Sequence, residues 1–129
     1  MKRLAALGGL ALLLAGCATP AADHEIESLL FHQYQAIENF DDSDYSQDDP
    51  KQIARFQALL DEFDVTPGET VTAEEDDCAG GLSTTVEISY TTGDPVEMFI
   101  AACGVPAYNE FNSQAADLFT EWRENHNSD

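Results

Sequence analysis

Leu82-Ser83-Thr84-Thr85-Val86-Glu87-Ile88-Ser89-Tyr90-Thr91 is the stretch whose reading decides the fold class. Leu82, Thr84, Val86, Ile88 and Tyr90 alternate with Ser83, Thr85, Glu87, Ser89 and Thr91, the period of two by which a strand offers one face to a core. Thr92-Gly93-Asp94-Pro95 supplies a turn. Val96, Met98, Ile100 and Ala102 then alternate with Glu97, Phe99, Ala101 and Cys103. The two runs predict an antiparallel hairpin over 82–91 and 96–103 with one apolar face. An isolated hairpin is marginal in water, so it needs a further strand or helices packed on it. Glu69 to Ala73 can supply a third strand, and Gly80-Gly81 permits a bend ahead of the hairpin.

The flanking segments change period. From Asp23 to Phe40, residues Ile26, Leu29, Leu30, Ile37 and Phe40 fall on one helical stripe, with Tyr34 beside it. Asp49 and Pro50 mark the start of another helix, as N-cap and first-turn residue. Ile53, Phe56, Leu59, Leu60 and Phe63 form its apolar face, and Thr66-Pro67-Gly68 ends it. These two segments predict an N-terminal helical hairpin. After Gly104-Val105-Pro106, the interval from Tyr108 to Glu124 predicts a last helix, with Phe111, Ala115, Leu118, Phe119 and Trp122 turned inward. The expected class is α+β: a helical hairpin, a small antiparallel sheet, and a C-terminal helix packed on that sheet.

The chain opens with Lys2 and Arg3, followed by an apolar run from Leu4 to Ala15 and the tetrad Leu14-Ala15-Gly16-Cys17. The run is short of the roughly 20 residues a spanning helix needs, and it fits the apolar region of a signal peptide. This segment resembles the signal peptide and lipobox of bacterial lipoprotein precursors, and the resemblance covers the first 20 residues. It implies cleavage before Cys17, a diacylglyceryl group on the Cys17 sulfur, and attachment to the extracytoplasmic face of the cell membrane. More than one acyl chain makes such attachment stable. The implied organisation is a signal peptide at 1–16, a lipidated tether at 17–23, one small domain at 24–125 and a frayed tail at 126–129.

Cleavage there removes Lys2 and Arg3. Lys51, Arg55 and Arg123 then stand against 25 acidic residues, a net charge of −22 on 113 residues. Such a domain repels nucleic acid, which is bound through Lys and Arg at phosphates, and anionic lipid headgroups. A cationic protein or envelope component is the partner this charge fits, and a solvated surface that keeps a secreted domain soluble is the plainer reading. With Cys17 assigned to lipid, Cys78 and Cys103 remain. In an oxidising compartment an even pair predicts a disulfide. The hairpin would bring Cys103 back beside Cys78. Closing a loop of this length contributes about 3 kcal/mol in the chain-entropy model.

Few residues suggest chemistry. Asp42, Asp44, Ser46 and Asp48 alternate as oxygen ligands do in a calcium loop, and the start of an EF-hand is similar. Gln47 stands where that family needs glycine, however, and Ile53 where it needs a bidentate glutamate. A looser cation site on Asp42, Asp44 and Asp48 is the candidate that survives, against a solvated loop that caps the next helix. Glu74-Glu75-Asp76-Asp77 reads as a solvated run guarding a sheet edge. His24, His32 and His126 lack metal-ligand spacing, and Ser83, Ser89 and Ser113 lack a nucleophile context. Tyr45 and Tyr108 are the aromatic residues least explained by core periodicity. No cofactor motif is present and no catalytic residue is assigned. The expected function is therefore a lipid-anchored, non-enzymatic interaction module. An enzyme inhibitor presenting Thr92-Gly93-Asp94-Pro95 is the alternative, and a small hydrolase using unrecognised carboxylates ranks below it.

Overall fold

The computed structural model describes residues 25–68, 81–101 and 108–128. Their elements, in order, are β1 (Ile26–Tyr34), β2 (Tyr45–Gln47), α1 (Pro50–Glu62), β3 (Ser83–Tyr90), β4 (Val96–Ala101) and α2 (Asn109–His126). The strands form one antiparallel sheet in the order β2-β1-β3-β4. The class is α+β. Residues 1–24, including the expected signal peptide, tether and His24, lie outside the described residues. So do the expected third strand at 69–73, the acidic run at 74–77, Cys78 and Cys103.

The N-terminal helical hairpin is not formed: Ile26–Tyr34 is a strand. The apolar spacing from Ile26 to Leu29 is three, as on a helix. In the sheet, the register between β1 and β3 shifts between Ile26 and Ser28. An extra residue at such a bulge reverses the alternation, so Ile26 turns to the same face as Leu29, Phe31 and Gln33. The remaining stripe does not hold together: Leu30 and Ile37 are exposed, and Phe40 lies half-buried under the Arg123 guanidinium, 4.7 Å from its ring centre. Pairing decides the matter. β1 lies between β2 and β3, and its register with β3 runs from Ile26 opposite Tyr90 to Tyr34 opposite Ser83. A helix here would leave that edge of β3 without backbone partners, a costly state for peptide groups shielded from water.

The other elements follow the sequence more closely. Asp49 caps α1, its side chain accepting from the Lys51 amide at 2.8 Å, and Pro50 begins the helix. Ile53, Phe56 and Leu60 point inward. Asp64 then takes φ 52°, the left-handed conformation common just past a helix end. The Val65 amide donates to the Leu60 carbonyl at 2.9 Å, and Val65 folds back into the core. The β3–β4 turn passes through Gly93 at φ 91°. α2 buries Phe111, Ala115, Leu118, Phe119 and Trp122, with Asn112 beside them. It continues to His126, the first residue of the segment expected to fray.

Both helices cover one face of the sheet. Leu29, Phe31, Val86, Ile88, Met98 and Ile100 from the strands meet Phe56 and Leu60 of α1 and the inward face of α2 in one cluster. Phe119 is its hub, with ring centres 4.9 Å from Phe31, 5.3 Å from Phe56 and 5.0 Å from Trp122. Tilted and edge-on pairs of this kind add to the burial of apolar area. One polar group enters this layer. Gln33 is 0 % exposed. Its amide donates to Thr84 Oγ1 at 3.2 Å and to the Ala116 carbonyl at 3.4 Å, while its Oε1 accepts from Thr120 at 3.3 Å. The network ties β1 and β3 to α2, and each bond offsets part of the cost of burying an amide.

Candidate functional site

The opposite face of the sheet is built by the same alternation that builds the core. Register places Ser46, Leu30, Glu87 and Glu97 in one row across the four strands. The next row holds His32, Thr85 and Phe99, and the one beyond it Tyr34, Ser83 and Ala101. Large side chains stand on β1 and β4, while the strand between them carries Ser83, Thr85 and Ser89. The face therefore has walls on its flanks and a floor of hydroxyl groups along β3. Leu30 is 46 % exposed, Tyr34 54 % and Phe99 39 %. Exposed apolar side chains gathered on one face are a mark of an interaction surface. Ala101 is 6 % exposed, so the end of β4 stands outside this surface.

The charges on this face are uneven. Glu87 and Glu97 are exposed and directly opposite each other on β3 and β4. Among the described residues, neither carboxylate has a basic group within ion-pair distance. Among the described residues, His32 Nδ1 lies 3.5 Å from an Asp44 carboxylate oxygen, and between the helices Arg55 pairs with Glu121, two bonds of 2.7 and 2.9 Å joining the guanidinium to both carboxylate oxygens. The Glu121 hydrogen bond raises the Arg55 pKa, and the same contact lowers that of Glu121.

The candidate cation ligands are not gathered. Asp44 pairs with His32, while Asp42 and Asp48 are exposed on either side of it, with β2 between Asp44 and Asp48. Among the described residues no group of three or more His, Cys, Asp or Glu side chains is placed to hold a metal ion. The loop instead organises around Asp41, which carried no signal in the sequence. Asp41 accepts from the Ser43 amide at 3.0 Å, from the Tyr45 hydroxyl, and from Asn127 Nδ2 at 3.3 Å. Hydrogen bonds from Ser43 first, then Tyr45, hold its carboxyl well below the usual carboxylate range. The bond to Asp41 in turn raises the Tyr45 pKa. Tyr45 also packs its ring 5.8 Å from Phe31, and its hydroxyl oxygen lies 3.1 Å from the Asn127 side chain. It fastens β2 to the C-terminal end of α2, where His126 Nε2 lies 3.0 Å from the Ser46 carbonyl. Tyr108 likewise packs on the core.

Among the described residues, shallow grooves run over the helices. One, of about 430 Å³, lies between α1 and α2 and includes the Arg55–Glu121 pair. Another, of about 210 Å³, lies beside Gln52, Trp122 and His126. The Trp122 ring is buried, and its N–H donates to Gln52 at 3.0 Å, so it offers no aromatic surface to a ligand. Among the described residues no helix is long and apolar enough to cross a membrane. The chain matches no family model, no curated protein and no solved structure.

Proposed function

We propose that this chain is a non-enzymatic binding module that works outside the cytoplasm, tethered to the cell membrane by lipid on Cys17. One observation supports the binding role: the sheet face turned away from the helices keeps Leu30 and Phe99 in water, on the same face as a pair of glutamates that has no ion-pair partner among the described residues. A face serving only to keep the domain soluble would carry polar side chains at those positions. The tether rests on the pattern from Lys2 to Cys17, and the disulfide between Cys78 and Cys103 belongs to the same oxidising setting. The inhibitor reading draws on the turn at Thr92-Gly93-Asp94-Pro95, every residue of which is exposed.

Two measurements test the proposal. Cells fed an alkynyl fatty acid should label the wild-type chain and leave Cys17→Ser unlabelled, with the label in the membrane fraction. Cross-linking in the intact envelope should then capture a specific partner. An unlabelled, membrane-free wild type overturns the tether, and failure to capture any partner overturns the binding role.

A further inference from the structure

We infer that the open face of the sheet, centred on Leu30, Glu87, Glu97 and Phe99, is the docking surface, and that its occupant is a segment of a basic protein in which lysine or arginine alternates with apolar side chains. The inference rests on the binding-module reading above and names the site and its partner. Both halves of the chemistry are on one surface. The row Leu30–Glu87–Glu97 sets two carboxylates next to an exposed leucine, and Phe99 follows Glu97 on the same face of β4. Lysine and arginine are themselves amphipathic, laying an alkyl stem on apolar surface while the charged head reaches outward. A stem lying over Leu30 or Phe99 brings its head to Glu87 and Glu97, which have no cation of their own among the described residues.

Charge selects this occupant over a second copy of the chain. A face-to-face dimer would bring two glutamate pairs together on molecules of net charge −20, and like charges held close oppose association. A basic segment relieves the Glu87–Glu97 repulsion as it binds. Long-range attraction to the acidic domain would also speed its arrival.

The full chain, held in phosphatidylcholine nanodiscs, is titrated with a fluorescein-labelled peptide of alternating lysine and valine, read by anisotropy against empty nanodiscs. Wild type should bind it. Glu87→Gln/Glu97→Gln and Leu30→Ser/Phe99→Ser should each weaken binding at least tenfold, while Asp42→Asn/Asp48→Asn, which alters charge elsewhere, stays within twofold. Unchanged thermal melts establish that the variants are folded. Absence of binding to wild type overturns the inference, and so does equal loss in the Asp42/Asp48 variant. Self-association of the wild type that Leu30→Ser/Phe99→Ser abolishes also overturns it, by assigning the face to a second copy. An envelope protein captured equally by wild type and by both face variants overturns this assignment and leaves the binding-module reading standing. Capture of none overturns that reading.

Discussion

Glu87 on β3 stands directly opposite Glu97 on β4, two like charges facing each other on the exposed side of an otherwise well-matched hairpin. Like charges at opposed positions destabilise a sheet, and opposite charges there contribute about 0.2–1 kcal/mol. Glu97→Lys should therefore raise the urea midpoint while weakening the lysine–valine peptide. A midpoint that stays or falls would show that the pair costs the fold nothing, and would remove the argument that the glutamates are kept for binding.

Gln33 is the polar group the core has to accommodate. Gln33→Leu removes its bonds to Thr84, Ala116 and Thr120 and leaves the buried Thr84 hydroxyl without that partner. Leaving buried polar groups unsatisfied costs about 1–3 kcal/mol. Chemical denaturation should report a loss in that range, and Gln33→Leu with Thr84→Val should recover part of it. A neutral single substitution would mean that the amide network is not what holds β1 and β3 to α2.

Gly68 and Gly93 share a positive φ, 89° and 91°, but differ in surroundings. A Cβ on Gly68 would sit 2.8 Å from Val96 Cγ1, while one on Gly93 meets open space. Alanine at either site bears a left-handed backbone penalty of about 1–2 kcal/mol. Gly68→Ala should cost more, because it also displaces the first residue of β4. Equal losses in thermal melts would show that the contact with Val96 yields freely.

Asp41 makes stability depend on pH in a known direction. Its folded-state pKa is depressed by its hydrogen bonds from Ser43, Tyr45 and Asn127, so folding favours the ionised form. The contribution is present above the unfolded value of about 3.9 and is lost as the pH falls through the lower folded value. The stability difference between wild type and Asp41→Ala should hold near neutrality and shrink below about pH 4. A difference constant from neutral to strongly acid solution would place the role of Asp41 in packing alone.

The parts of the fold legible in the sequence are those made by neighbours along the chain. Asp49 and Pro50 start α1 through contacts within its first turn. Within the alternation of 82–91 and 96–103, Ser83–Tyr90 and Val96–Ala101 need only a short turn at Gly93 to become β3 and β4. The spacing of Phe111, Ala115, Leu118, Phe119 and Trp122 marks the inward face of α2 without reference to anything else. In each case the energy that selects the conformation is local, and the pattern is correspondingly plain.

β1 is different, and the candidate site goes with it. The residues from Ile26 to Tyr34 satisfy a helical stripe and, once a bulge follows Ile26, a strand equally well. What separates the two is pairing with β3, some fifty residues further on, and β3 needs backbone partners on the side that β4 does not fill. Composition and local periodicity thus establish an acidic α+β chain with a hairpin and a packed final helix. Long-range hydrogen bonding establishes that the first segment is a strand. That choice turns Leu30 from an expected core residue into one flank of an exposed face, with Glu87 directly across from it and Phe99 in the next row on the far side of β3. No short window of sequence contains those three residues together, because only the register of the sheet makes them neighbours.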